Sequence, residues 1–246
     1  MSGRGFFSRN LALIAIVAFG AAAIALSGAW LMMGSMGIAD FAIGLANARL
    51  PVCGDLAGRT ASRELAWNAG GTASIGIPAT LRYSPHNGAQ VTVTGDAALL
   101  PHVRVVDDGQ IELDCRARDL ADARLDITLP GRSFRSFNMA GLTRLVLSDI
   151  DQNELHMNIA GSSSVEATGR AESVHVNAAG RSDARLGMLA AEKVELNLAG
   201  SSNIEIAPED ELTVNAFGSA TVTLLSEPKT IHTNIVGSGR IIHKAL

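Results

Sequence analysis

From residue 120 onward the chain alternates apolar and polar positions with a period of two, and the alternation is interrupted at nearly fixed intervals by Asn-x-x-Gly. The pairs are Asn138/Gly141, Asn158/Gly161, Asn177/Gly180, Asn197/Gly200, Asn215/Gly218 and Asn234/Gly237, with glycines 20, 19, 20, 18 and 19 residues apart. Apolar residues fall six, four and two positions before Gly161, Gly180, Gly200 and Gly218, as in Leu155, Met157 and Ile159, then Val174, Val176 and Ala178. They return four and six positions after it, as in Leu145 and Leu147, Val165 and Ala167, Ile204 and Ile206. Each unit therefore predicts two short strands with one buried face apiece. Nothing in this part of the chain has helical periodicity.

A unit of about 19 residues cannot bury its apolar face alone. Stacking the units along one axis merges those faces into a continuous core. The pattern predicts an all-β fold, a parallel β-helix or β-solenoid of about six coils over 120–246, right-handed by the crossover preference of parallel strands. The six glycines would sit at corners, where the absence of a Cβ permits a sharp bend. The six asparagines would line up as an amide ladder on the face opposite the apolar positions, as amides do in stacked sheets. Ahead of the repeats, residues 67–118 read as a two-hairpin lead-in that caps the first coil. Ser74–Pro78 and Gln90–Thr94 flank Pro85-His86-Asn87-Gly88, while Val103–Val106 and Gln110–Leu113 flank Asp107-Asp108-Gly109.

The N-terminal pattern is different. Leu11 to Met33 is a run of 23 residues without a charge, preceded by Arg4 and Arg9. As a helix it would span about 35 Å, enough for the hydrocarbon core of a bilayer. Basic residues ahead of it place 1–10 in the cytoplasm, 11–33 as a transmembrane anchor and the rest outside, in the periplasm or beyond. The rival is a cleaved signal, because Ala46-Asn47-Ala48 has the form of a cleavage site. Residues 34–66 read as a linker and contain Cys53. Cys115 ends the alternating run from Ile111. An exported protein permits a Cys53–Cys115 disulfide, worth about 4 kcal/mol by loop entropy; the alternative is two unpaired thiols.

Composition narrows the function classes. Twenty Lys+Arg against 24 Asp+Glu, a net charge of −4, leaves no basic footprint for nucleic acid. No phosphate loop, dinucleotide fingerprint, zinc helix or nucleophile elbow occurs, so no cofactor is expected. Two residues before the asparagines stand Ser136, His156, His175, Glu195, Thr213 and His232; three consecutive metal-capable side chains invite a metal reading, but an exposed polar row is the commoner outcome. The outward row of the second strand is Val146, Glu166, Arg185, Glu205, Thr223 and Ile242; with two carboxylates, one arginine and no Asp pair it gives weak support to the acid/base chemistry of a glycan-cleaving β-helix. No catalytic or metal residue is assigned.

Several segments resemble one bacterial family, the auto-transporter adhesin head GIN domain. They are Leu125-Asp126-Ile127-Thr128-Leu129-Pro130, the corners Gly161-Ser162-Ser163, Gly200-Ser201-Ser202 and Gly237-Ser238-Gly239, and Glu227-Pro228-Lys229. Gly180-Arg181-Ser182 and Gly218-Ser219-Ala220 depart from the pattern. The likeness runs from Trp67 to the end. It implies an exported, often membrane-anchored β-solenoid and brings no catalytic residues with it. The expectation is a non-enzymatic, membrane-tethered envelope protein that displays a polar surface to a surface polysaccharide or an envelope protein. Two alternatives stay open: a carbohydrate-active enzyme on a β-helix scaffold, and an assembly factor that binds a partner through the solenoid end.

Overall fold

The computed structural model describes residues 51–106, 108–115 and 125–244. The expected cytoplasmic segment 1–10 and transmembrane segment 11–33 lie outside the described residues, as does the linker up to residue 50. Among the described residues no helix is long and apolar enough to cross a membrane. The described chain is all-β apart from a 3-10 turn at Leu100–His102. Its strands are β1 (Thr60–Leu65), β2 (Thr72–Ile75), β3 (Ala79–Tyr83), β4 (Val91–Asp96), β5 (Val103–Val105), β6 (Gln110–Leu113), β7 (Leu125–Thr128), β8 (Ser136–Gly141), β9 (Thr143–Leu224), β10 (Thr230–Gly237) and β11 (Arg240–His243). All eleven join one sheet.

The repeat sets the pairing. β8 runs parallel to the early part of β9 with Asn138 opposite Asn158 and Gly141 opposite Gly161. β10 runs parallel to the late part of β9 with Asn234 opposite Asn215 and Gly237 opposite Gly218. β9 is one long extended run that turns at its glycines, so each unit lies against the next with asparagine over asparagine. The alternation decides which side chains go inside. Leu145, Leu147, Leu155, Met157, Val165, Val174, Val176, Leu186, Leu196, Ile204, Ile206 and Leu212 are all 0–3% exposed. Neighbouring layers approach to strand spacing, about 4.8 Å, so the column holds aliphatic residues.

The lead-in differs from the sequence expectation. β2 does not pair with β4 as a hairpin. It lies parallel between β8 and β6, with Ser74 opposite both Asn138 and Gln110. β3 likewise lies parallel between β7 and the start of β9. Residues 72–83 thus form one further layer and β6 with β7 another, stacked in an order that does not follow the chain. The turn at Pro85–Gly88 instead packs on the segment after β7: Asn87 Nδ2 donates to the Leu129 carbonyl at 2.9 Å, and Gly131 N–H donates to the Gly88 carbonyl at 2.8 Å. The second expected hairpin forms, as antiparallel β5–β6 closed at Gly109 with φ +81°. The linker reading over 34–66 also needs trimming, because Thr60–Leu65 is β1, paired antiparallel with β4. Ala61 and Leu65 of β1 pack against the core, and the other four residues of the strand are exposed.

Two features close this end. β4 runs antiparallel on β7, β1 on β4, and β5 on β6, so the stack ends in antiparallel strands. Beneath them Trp67, Tyr83, Phe134 and Phe137 pack with ring centroids 5.0–5.9 Å apart. The chain has only ten aromatic residues, and four of them fill this wider space. Cys53 and Cys115, separated by 62 positions in sequence, are joined in a disulfide with Cα atoms 5.0 Å apart. Asp96 receives the N–H groups of Ala57, Ala98 and Gly58. These bonds, that from Ala57 foremost, hold its carboxyl below the usual carboxylate range.

The corners generate a quantitative contrast. Gly180 has φ +112°, and a Cβ there would meet the Gly161 carbonyl oxygen at 2.5 Å. Gly141, first of the column, has φ +87° and open space around its Cβ position. Gly141→Ala is expected to cost about 1–2 kcal/mol through backbone strain alone, whereas Gly180→Ala adds a backbone clash and should cost about 3–5 kcal/mol. Urea unfolding of the two variants checks the difference; equal losses would contradict the layered corner.

Candidate functional site

The conspicuous surface is the polar face of the first strand in each unit. Alternation puts Asn138, Asn158, Asn177, Asn197 and Asn215 outward, flanked by buried aliphatics, and strand register puts them one above another. Asn138 Nδ2 donates to Ser74 Oγ at 3.0 Å. Asn158 then donates to Asn138 Oδ1 and Asn177 to Asn158, each at 2.8 Å, and Asn197 to Asn177 and Asn215 to Asn197, each at 2.9 Å. Every donor points toward the N-terminal end. Asn138, Asn158 and Asn177 each spend one N–H and one lone pair within the row, leaving a second N–H and a second lone pair for whatever lies outside. Asn234 keeps register with Asn215 but is exposed at the end of the stack.

A second row runs beside it. The rings of His156 and His175 stack with centroids 4.7 Å apart and planes 9° from parallel. His175 Nδ1 meets Glu195 Oε2 at 3.2 Å, and its Nε2 meets Ser173 Oγ at 3.1 Å. Glu195 Oε1 also accepts from Asn197 Nδ2 at 3.1 Å, tying this row to the amides. His156 Nε2 lies 3.7 Å from Glu154. Stacked rings turn their nitrogens edge-on toward separate neighbours and not toward one point, so the three-ligand metal arrangement does not fit these residues. One other close group of metal-capable atoms, His102, Asp114 and Cys115, includes a sulfur held in the disulfide. There Asp114 is bonded by His102 at 2.7 Å and by Arg104, and these two bonds, His102 first, hold its carboxyl low.

The second strand carries a charged row. Glu166 Oε1 receives Arg144 at 2.9 Å and Arg185 at 3.0 Å. Arg185 stands between Glu166 and Glu205, two layers apart, about 10 Å at strand spacing. A pair of carboxylates working on one glycosidic bond needs open space between them; here Arg185 takes the intervening register position and is bonded to Glu166. At the last turn Lys229 is bonded to Asp210 at 2.6 Å, which raises its ammonium pKa above the usual lysine range. The six corner glycines form the ridge between the two faces; all have positive φ, from +87° to +120°.

Sequence reasoning missed the start of the amide row. Ser74 sits at the asparagine position of a layer without the Asn-x-x-Gly signature, and only the alternation Thr72-Ala73-Ser74-Ile75 hints at it. It also treated the histidines as separate ligands, although their 19-residue separation equals one unit and so predicts stacking.

With this geometry in view the relationships are intelligible. The family described as "Putative auto-transporter adhesin, head GIN domain" matches residues 72–228, and the chain belongs to it. Among solved structures, a "putative adhesin" from Bacteroides fragilis aligns with TM-score 0.56 at 15% identity, over 76% of this chain and 98% of that one. A "putative lipid binding protein" from Parabacteroides distasonis aligns with TM-score 0.45 at 17% identity, over 78% and 99%. A "putative adhesin" from Parabacteroides merdae gives 0.41 at 10% identity, over 77% and 98%. The first of these shows a shared fold. No curated protein matches the chain in sequence.

The amide row is also a stability element. Asn177→Ala removes two hydrogen bonds and leaves half-buried partners on Asn158 and Asn197 unmatched, an expected loss of about 1–3 kcal/mol. Asn234→Ala at the exposed end should cost under about 0.5 kcal/mol. Chemical denaturation of both variants reads the difference.

Proposed function

We propose that this protein is a non-enzymatic, envelope-associated adhesin-like module: a right-handed β-solenoid, tethered to a membrane through residues 11–33, that displays its polar face to a surface polysaccharide or an envelope protein. Repeat-to-repeat parallel register supports the solenoid, and family membership supports the envelope setting and the adhesin-like role. The observation that carries the display reading is the regular outward supply of amide and imidazole groups at strand spacing. Asn138 to Asn215 and His156, His175 and Glu195 present hydrogen-bonding groups about every 4.8 Å. A linear polymer lying along the axis could meet one such group per layer, so many weak contacts would add along its length. The row is rigid, because each amide is already held by its neighbours, and a preorganised surface loses little entropy on binding.

The test is a glycan array and an envelope-fraction capture with the full chain in detergent micelles. Binding should fall at least tenfold in a His156→Ala/His175→Ala/Glu195→Ala variant and persist in Glu166→Ala/Glu205→Ala on the other face. Equal binding by both variants, or no retained ligand in either format, would overturn the display reading.

A further inference from the structure

The last two units break the corner pattern at the place where the stack ends. The residue before the corner glycine is Ala140, Ala160, Ala179 and Ala199 in the first four units, then Phe217 and Val236. These two are register partners, 54% and 50% exposed. Next to them is the final layer, β10 and β11, each of which pairs on one side with β9 and, among the described residues, with nothing on the other. That layer is a section through the core. Leu212 and Val222 in the layer above are at most 1% exposed, while Ile231, the partner of Leu212, is 38% exposed and Ile241, the partner of Val222, is only half-buried.

Edges of this kind are normally guarded by charge, proline or a bulge. From Thr230 to Gly239, a stretch that covers all of β10, there is no Lys, Arg, Asp, Glu or Pro, and β11 carries the single charge of Arg240. The opposite end is closed by antiparallel β1, β4 and β5. Apolar side chains, the uncharged edge of β10 and an exposed Phe-Val corner therefore coincide at this end of the described stack.

We propose that a second copy of this chain docks on this end, final layer against final layer, about a twofold axis. Head-to-tail growth has no matching acceptor among the described residues, since the strands at the other end, β1, β4 and β5, pair antiparallel and their layer does not repeat the β10–β11 register. The surface that matches the spacing of free backbone groups here is the same end of another copy, which is the condition for an isologous contact. A twofold sets β10 against strands of its own kind, and its uncharged run brings no like charges together. A layer of about 19 residues at roughly 3.3 Å each traces a perimeter of about 60 Å. With side chains, such an end face covers about 600 Å², so two faces bury about 1,200 Å², the lower bound of a stable specific interface. The contact does not depend on the polar face and stands whether or not a polymer binds there.

Cross-linking tests it in the full-length chain in detergent micelles, where the native cysteines are already paired and only an introduced thiol reacts. Val236→Cys with a short bis-maleimide should give a covalent species of twice the chain mass. Leu142→Cys, exposed on the same corner ridge but five layers away, should stay monomeric. Adding Thr233→Lys to the Val236→Cys chain should abolish the dimer without changing its thermal unfolding; if that variant unfolds, Asn234→Lys on the outward side of the same strand serves instead. A monomeric Val236→Cys chain, equal cross-linking through Leu142→Cys, or an adduct with a different protein overturns the proposal.

Discussion

Backbone stacks directly on backbone at the corner of each unit. Gly161 lies over Gly141, Gly180 over Gly161, and so on to Gly237, and the Cβ that any other residue would carry falls 2.8 Å or less from the carbonyl oxygen of the glycine before it. This close approach holds the layers at strand spacing, and the other regularities of the fold follow from it. At that spacing interior positions accept Val, Ile, Leu, Ala and Met, and Asn amides can reach one another without bending. A unit longer or shorter by several residues would have to bulge out between corners.

The same constraint explains what was legible in the sequence. A corner that tolerates only glycine leaves a mark every 18–20 residues, and the amide ladder leaves a second mark three residues earlier. Together they give the register of β8, β9 and β10 and the inward and outward assignment of nearly every residue there. The lead-in carries no such mark. In the layer of β2 and β3 the corner position is taken by Ile77, opposite Gly141 in the continued register, and Ser74 replaces asparagine. Its neighbours in space, β6 and β8, are remote in the chain, so local turn chemistry at Pro85–Gly88 suggested a hairpin where the structure has a loop packed on Leu129–Gly131. The Asp-Gly turn was read correctly because strands β5 and β6 are adjacent in both sequence and space. Of the polar face, the positions were legible and the mutual bonding of His175, Glu195 and Asn197 was not, since it depends on rotamers.

The two ends of the stack are built on different principles. The N-terminal end interrupts the parallel layers with antiparallel strands, gathers Trp67, Tyr83, Phe134 and Phe137, and is tied by Cys53–Cys115. The C-terminal end continues the repeat through β10 and β11, the last described layer. Between them the polar and charged faces are both internally bonded, the first through amides and imidazoles and the second through Arg144, Glu166 and Arg185. Such bonding fixes the pattern of groups that the two faces carry.

The central claim is that one glycine-to-glycine unit is one interchangeable layer. Deleting residues 181–200 joins Gly180 to Ser201 and removes one whole unit with its register intact. The account predicts a folded all-β chain that unfolds cooperatively, with a urea m-value reduced in proportion to the lost layer. A matched deletion of residues 181–190, half a unit, should abolish cooperative unfolding. If both deletions behave alike, whether both fold or both fail, the layered account is contradicted.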